Sequence, residues 1–149
     1  MKNNKFVGPV YKESEAFILA NFYEKSTHSI LYIGKDDIEI NSIENKLKWL
    51  FPNDLIFTFR SWDQIPYDLV SPSKEIQLER IKTLYYLNST NKKKIVLTTI
   101  NAVLQKTLYK DFILKNSFEI YENKKINFID LISKLLLLGY ERTSVVRDK

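Results

Sequence analysis

Three short, continuous apolar runs constrain the fold of this chain more than any other feature. They are SILYIG at 29–34, LIFTF at 55–59 and KIVLTT at 94–99. Runs of this length and composition are typical of strands buried on both faces of a parallel sheet. Segments with helical spacing lie between them, and such alternation favours a parallel sheet covered by helices. We therefore predict an α/β fold with a parallel-sheet core and helices on both faces.

The segments between and around these runs predict helices. Residues 16–23 and 40–50 carry apolar side chains at helical spacing, and Pro52 ends the second of these helices. After an irregular segment, Ser71, Pro72 and Ser73 supply N-cap chemistry and a proline suited to the first turn of a third helix, and a short helix follows KIVLTT. The helix after Ser73 has one apolar stripe, formed by Leu78, Ile81, Leu84 and Tyr85.

The last part of the sequence predicts a change of organisation. FEIY at 118–121 is strand-like, and the charged run ENKK then interrupts the apolar pattern. A helix capped by Asn127 and closed by a glycine follows, before a strand-like segment at 141–146. We predict one domain over 1–123 and the start of a second small α/β domain over 124–149, which either docks on the first domain or continues beyond this sequence.

Composition favours a folded, intracellular chain. Hydrophobic residues make up 44% of it and charged residues 28%, close to the averages for globular proteins. It has no cysteine and one histidine, His28, which excludes disulfides and thiolate or multi-histidine metal sites. The longest apolar run is LLLL, and the N-terminus has no apolar signal region. We expect a cytoplasmic protein with no membrane partner.

The segment GPVYKESEAF, which begins at Gly8, lies where a nucleotide-binding protein would place its phosphate loop. A working loop needs a second glycine followed by a lysine, and Glu13 and Ser14 occupy those positions. Pro9 removes a backbone N–H donor, Glu13 places a carboxylate where phosphate would bind, and Lys12 is out of position. We interpret this segment as a degenerate nucleotide loop, whose structural role would be a turn capped by Ser14 or Glu13.

Four aspartates follow the first two predicted strands. They are Asp36, Asp37, Asp63 and Asp68. Carboxylates at the carboxyl ends of parallel strands could hold magnesium or transfer protons. No histidine is near them in the sequence, and no motif fixes their spacing. We therefore favour a helix N-cap role for Asp36 or Asp37 and predict no metal site.

Two further groups could contact nucleic acid. Thr98, Thr99 and Asn101 end the third predicted strand, where they either touch a phosphate backbone or cap the helix that follows. The lysines at 92–94 form a tight basic run in a chain whose net charge is +5. That run is either a nucleic-acid contact or a solvated turn. We favour the cap and the turn, and keep a basic nucleic-acid-binding domain as the alternative function.

The irregular segment SWDQIPYDLVSPS at 61–73 is long for a connection within a compact domain. Its apolar side chains could form an exposed partner-binding patch: Trp62, Ile65, Pro66, Tyr67 and Leu69. They could instead anchor the segment in the core, and we favour this interpretation because an unanchored loop of this length would be mobile. Trp62, Pro66 and Tyr67 are the expected anchors.

The order and spacing of three segments resemble a known family. WDQIPYDLVSPSKEIQLERIKTLYYL, IVLTTINAVLQK and LLLLGYERTSVV are together similar to the N-terminal region of the bacterial transcription-repair coupling factors (Mfd), a region that is itself similar to the excision-repair subunit UvrB. The resemblance extends over about residues 6–149. It implies a helicase-like α/β core of the P-loop NTPase type, with a nucleotide loop that has decayed.

The resemblance also implies the setting in which such a chain works. Members of the family are ATP-driven, magnesium-dependent DNA translocases that displace stalled RNA polymerase at lesions and recruit the repair protein UvrA. Their motor and their contacts with RNA polymerase and DNA lie in downstream domains, and the UvrA-binding surface lies in the second UvrB-like domain, mostly beyond residue 149. Where UvrB carries a DNA-clamping hairpin, residues 67–73 would close directly. We therefore expect a non-catalytic scaffold module with no cofactor of its own.

Overall fold

The computed structural model describes residues 6–11, 14–53, 55–64, 69 and 71–144. Within these ranges the chain forms three strands and six helices. In chain order they are α1 (Glu15–Lys25), β1 (Ile30–Gly34), α2 (Asp37–Leu50), β2 (Leu55–Phe59), α3 (Lys74–Ser89), β3 (Lys94–Thr99), α4 (Ile100–Leu104), α5 (Lys110–Lys115) and α6 (Phe128–Leu137).

The three strands form one parallel sheet in the order β1-β3-β2. Ile30 pairs with Ile95 and Gly34 with Thr99, while Ile56 of β2 pairs with Ile95 from the other side. All six residues of the central strand are buried. The predicted α/β fold with a parallel sheet is confirmed, and the helicase-like description of that core stays a prediction.

Helices cover both faces of the sheet. The central strand β3 contributes to both faces, because its side chains point alternately to opposite sides. Ile95 and Leu97 pack with α1 and α2 in a cluster of ten buried apolar residues, which we call the α1/α2 face. Val96 packs on the opposite side with Phe59 and Ala102, and with half-buried leucines of α3, which we call the α3/α4 face. The larger apolar core therefore lies on the α1/α2 face.

Side chains cap four of the helices. The capping oxygen accepts a backbone N–H bond from the first turn in each case: Asp36 from Glu39, Ser73 from Ile76, Thr99 from Ala102, and Asn127 from Ile129. These bonds satisfy backbone donors that have no partner within the helix. Of Ser71 and Ser73, which were both predicted to supply N-cap chemistry, Ser73 is the cap. The helix start predicted at Asn127 is confirmed, and Gly139, at φ +90°, follows the end of α6 as expected of a closing glycine.

The buried side of α3 is not the predicted apolar stripe. Arg80 and Thr83 are the buried residues of this helix, while Leu78 and Ile81 are exposed. The Thr83 hydroxyl donates to the carbonyl oxygen of Thr58 at 3.0 Å. The prediction holds for Leu84, which packs on the buried cluster, and was wrong for Leu78 and Ile81. It counted only apolar side chains, whereas α3 also uses polar groups to bond to the backbone of β2.

The predicted strand at 118–121 is also absent, since these residues form neither helix nor strand. The Tyr85 hydroxyl of α3 donates to Glu119 Oε1 at 2.7 Å, which holds this segment beside α3 rather than in a strand pair. Of the strand-like segment at 141–146, residues 141–144 are not in a strand, and the last two lie outside the described residues.

The helix α6 is only partly covered, with Leu131, Ile132 and Leu135 half-buried. None of its residues is buried, and Phe128, Ile129 and Leu137 are all more than half exposed. The predicted domain division at residue 124 stays a prediction. No helix in the described part of the chain is long and apolar enough to cross a bilayer.

Candidate functional site

The carboxyl ends of the three strands lie together at one edge of the sheet, where ligand sites form in open α/β sheets. Gly34 ends β1 and pairs with Thr99, and Phe59 ends β2 and pairs with Thr98. Gly34 lets α2 begin close to the sheet, since a Cβ there would lie 2.8 Å from Ile40 Cδ1. We call this edge, with the loops that leave it, the carboxyl edge and treat it as the candidate site.

The two threonines at the end of β3 direct their hydroxyls into the fold. The Thr98 hydroxyl donates to the carbonyl oxygen of Phe59 at 2.8 Å, and Thr99 Oγ1 accepts the Ala102 N–H at 3.4 Å. Both side chains are buried, whereas Asn101 is exposed on α4. The expected capping role of Thr99 is therefore observed, and contact with a nucleic-acid backbone through these three residues stays a prediction.

The three predicted aspartates that the structure describes do not gather into one site. Asp36 Oδ1 accepts the Glu39 N–H at 2.9 Å and caps α2, while Asp37 lies in the first turn of that helix. Asp63 accepts the Ser73 N–H at 3.1 Å, and hydrogen bonds from Ser73 lower the pKa of Asp63. Asp68 lies outside the described residues. Among the residues that are described, no group of three acidic or histidine side chains could hold a metal ion.

The segment interpreted as a degenerate nucleotide loop leads into α1, and its described residues are 8–11 and 14. Gly8 and Pro9 are exposed. The expected cap by Ser14 is not formed, because its side chain makes no capping bond at the start of α1. The Ser14 N–H donates to the carbonyl oxygen of Tyr11 at 2.8 Å, which closes a turn. Lys12 and Glu13 lie outside the described residues.

Carboxylates dominate the pocket beside the start of α1. This pocket of about 330 Å³ is lined by Glu15, Asp36 and Glu39, and Lys35 is the one cation among the described residues of its lining. Tyr32 donates to Glu39 Oε1 at 2.5 Å, and burial, followed by the Glu39 carboxylate, raises the pKa of Tyr32. A triphosphate would meet three negative charges here, so the pocket is electrostatically unsuited to it.

A buried arginine organises the loop that leaves β2, and sequence analysis missed it. Arg80 is 2% exposed, and its guanidinium lies 4.1 Å from the ring centre of Phe59 and 4.2 Å from that of Trp62. It donates to the carbonyl oxygen of Arg60 and, at 3.1 Å, to Gln105 Oε1. Burial lowers the pKa of Arg80.

The side-chain oxygen of Gln105, which accepts from Arg80, also holds the loop directly. The Trp62 N–H donates to Gln105 Oε1 at 3.0 Å, so α3, the loop and the end of α4 meet at one point. Trp62 is half-buried, as expected of an anchor, and Leu69 is fully exposed. Pro66 and Tyr67 lie outside the described residues, so their anchoring role and the direct closure at 67–73 stay predictions. The local sequence pattern does not signal the burial of Arg80, because arginine is rarely buried and its partners are distant in the chain.

The lysine run is divided by its position in the fold. Lys94 is buried, and its ammonium donates to carbonyl oxygens at the end of α3, reaching Thr90 O at 2.5 Å. Lys93 donates to the carbonyl oxygen of Tyr23, and Lys92 is exposed. These lysines lie at the amino ends of the strands, so they do not combine with Thr98 and Thr99 into one surface.

Part of the α3/α4 face is open to solvent. Leu31 and Ile33 of β1 are 58% and 48% exposed, and Val103 of α4 is 45% exposed. A groove of about 200 Å³ lies beside them, lined by Leu31, Leu84, Leu87, Val96 and Val103 among others. The described part of the chain thus leaves an apolar surface over β1, of the kind that proteins use for contacts with other protein segments.

Comparison with known proteins identifies relatives along most of the chain. A transcription-repair-coupling factor of Borreliella burgdorferi is 32% identical over 130 residues, which are 87% of this chain and 11% of that protein. Proteins of the same name from Rickettsia bellii and Escherichia coli are 26% and 19% identical, over 89% and 97% of this chain. No protein-family model matches the chain.

The predicted resemblance to this group of proteins is therefore confirmed. The chain spans only about 11 to 13% of the length of the relatives that it matches.

Proposed function

We propose that this chain, which is similar to one segment of the transcription-repair coupling factors, is a non-catalytic interaction module of such a protein. The observation that carries the proposal is the sequence match over 81% or more of the chain to proteins of that name. The role assigned is in transcription-coupled DNA repair. In the proposed arrangement, ATP and magnesium are bound by a motor elsewhere in the longer protein.

The carboxyl edge supports the non-catalytic part of the proposal. Thr98, Thr99 and Asp36, the polar groups best placed to meet a ligand, are engaged in internal hydrogen bonds. The adjacent pocket carries three carboxylates that repel phosphate groups. The buried Arg80 has its guanidinium enclosed by two aromatic rings and by backbone and amide acceptors, which is a structural rather than a ligand-binding arrangement.

The open apolar surfaces support the interaction part. Leu31, Ile33 and Val103 are exposed on the α3/α4 face, and Phe128, Ile129 and Leu137 of α6 are exposed as well. A scaffold needs such surfaces, because contacts between protein segments are stabilised mainly by apolar burial. We infer that the segments covering them belong to the longer coupling factor or to proteins that it recruits, among which we include UvrA and RNA polymerase.

Calorimetric titration with magnesium and ATP tests the absence of nucleotide binding. We expect no heat of binding at ATP concentrations up to the millimolar range. Thermal unfolding of the same sample, monitored by circular dichroism, shows that the chain is folded during the titration. Micromolar affinity for ATP would overturn the non-catalytic assignment.

Interferometry with the immobilised chain tests the scaffold role. The protein in solution is the Borreliella burgdorferi coupling factor from which the matching segment has been deleted, and we expect reversible binding to it. Val103→Glu places a charge in the open apolar groove and should weaken that binding. Ile38→Glu, which places the same charge on an exposed residue of α2 away from the α3/α4 face, is the matched control. Absence of binding by the unaltered chain would contradict the scaffold role.

A further inference from the structure

A cleft at the amino ends of the strands combines lysines with aromatic rings. It has a volume of about 550 Å³ and lies between the end of α1 and the loops that precede β2 and β3. The described residues that line it are Tyr23, Glu24, Phe51, Asn53, Leu55, Lys92 and Lys93. It lies at the opposite edge of the sheet from the carboxyl edge, so it is separate from the site already described.

The aromatic wall of the cleft is fixed in place by the fold. Phe51 is half-buried and meets Tyr23 edge-on, with ring centres 5.4 Å apart. Tyr23 is 5% exposed, and its hydroxyl donates to the carbonyl oxygen of Lys93 at 3.4 Å. The partly exposed Phe51 ring is therefore a rigid apolar surface that needs little reordering when a flat ligand stacks on it.

The cationic side of the cleft is partly preorganised. The Lys93 ammonium lies 3.9 Å from the centre of the Tyr23 ring and donates to the carbonyl oxygen of the same residue. Lys92 is exposed beside it, and its backbone N–H is bonded to Thr90 Oγ1 at 3.2 Å, which fixes the turn. Glu24 is the one described carboxylate in the lining, and exposed Lys25 follows it in the last turn of α1.

We propose that this cleft binds single-stranded nucleic acid, with Phe51 stacking on a base and Lys92 and Lys93 contacting adjacent phosphates. Rings for stacking and lysines for the backbone are the two elements that sequence-tolerant single-strand binding requires. An acidic peptide would use the lysines but gains less from a flat aromatic surface. A duplex keeps its bases stacked on one another, so it cannot use Phe51. The inference does not depend on the proposed scaffold role, which concerns the opposite edge and the open apolar surfaces.

Fluorescence anisotropy with a labelled oligothymidylate of about ten nucleotides tests the proposal. We expect saturable binding whose logarithmic salt dependence has a slope of about −1.4, as for two phosphate contacts on a single strand. Phe51→Leu, which keeps an apolar side chain, should weaken binding about fivefold or more through loss of one stacked base. Lys92→Glu should weaken binding and flatten the salt dependence.

Lys106→Glu is the matched control, because it makes the same charge change at an exposed residue after α4, near the opposite edge of the sheet. Circular dichroism of each variant separates loss of binding from loss of folding. The proposal is overturned if Lys106→Glu weakens binding as much as Lys92→Glu, if Phe51→Leu remains folded and binds normally, or if a duplex or polyglutamate binds as tightly as the oligothymidylate. Failure of any of these tests leaves the ATP titration and the interferometry result unaffected.

Discussion

The two faces of the sheet meet at the same central strand but are stabilised differently. On the α1/α2 face, ten buried apolar residues form one cluster around Ile95 and Leu97. On the α3/α4 face the buried apolar cluster is small, and Arg80, Thr83 and Thr98 supply buried polar groups that bond to the backbone of β2 and the loop after it. Apolar burial has no direction, whereas hydrogen bonds fix positions, so we infer that one face supplies stability and the other positions the loop.

The largest effect should come from the α1/α2 face. Leu47 is fully buried in the apolar cluster of this face. Because Leu47→Ala removes three buried carbon atoms and leaves a cavity, it should lower the free energy of unfolding by about 2–5 kcal/mol. Leu31→Ala, on the open part of the α3/α4 face, should change it by less than about 0.5 kcal/mol. Urea denaturation followed by circular dichroism compares the two, and equal losses would contradict the division between the faces.

The next effect concerns the buried arginine on the other face. Arg80→Ala removes two ring contacts and two hydrogen bonds, so we expect a loss of about 2–3 kcal/mol in the free energy of unfolding. Arg80→Lys keeps the charge but lacks the planar guanidinium, and should recover only part of that loss. The same urea titration, followed by circular dichroism, measures both variants.

Lys82→Ala is the control for these variants, because Lys82 is exposed two residues further along α3. It should leave stability within about 0.5 kcal/mol of the unaltered chain. If Arg80→Ala were as mild as this control, the guanidinium would not be organising the loop.

Two buried threonines allow the comparison to be sharpened with a single chemical change. Thr98 has a hydroxyl that donates to the carbonyl oxygen of Phe59, so Thr98→Val should cost about 1 kcal/mol. Thr58 is buried too, but within the described residues its hydroxyl has no hydrogen-bond partner. Thr58→Val removes an unsatisfied polar group and keeps the shape, so it should leave stability unchanged or raise it by up to about 1 kcal/mol.

Thermal unfolding of the two Thr→Val variants gives this comparison directly, because both side chains are buried and both changes conserve volume. Opposite signs are expected. A destabilisation of the same size in both variants would show that the Thr58 hydroxyl has a partner and would weaken the contrast between the two positions.

The sequence was sufficient for the parts of the fold that depend on local pattern. The three strands, the helices between them and the caps at Ser73 and Asn127 follow from apolar runs, helical spacing and capping chemistry, all of which act within a few residues. The resemblance to the coupling factors was also readable, because it rests on the order of several such segments.

The sequence was not sufficient where distant residues decide. Arg80 is buried because Phe59, Trp62 and Gln105 converge on it, and none of these is its neighbour in the chain. The segment 118–121 has the composition of a strand but is held beside α3 by Tyr85. The lysine run at 92–94 reads as one charged patch, yet the sheet buries Lys94 and leaves Lys92 exposed, a division that only the position of β3 determines.

The smallest effect concerns the rim of the α3/α4 face, where Asp63 receives hydrogen bonds from Ser73 across the loop. These bonds favour the ionised carboxylate and lower the pKa of Asp63 below its unfolded value of about 3.9. The stabilisation by the Asp63 carboxylate is therefore present above that pH, and it is lost as the pH falls through the lower pKa of the folded state. Titration of the Asp63 carboxyl by NMR should show the lowered pKa. Ser73→Ala keeps the backbone N–H but removes the hydroxyl, and should move the pKa part of the way back. If the pKa of Asp63 is unchanged in Ser73→Ala, the backbone N–H of residue 73 alone holds the carboxylate. The contact across the loop would then not depend on the Ser73 hydroxyl, which caps α3.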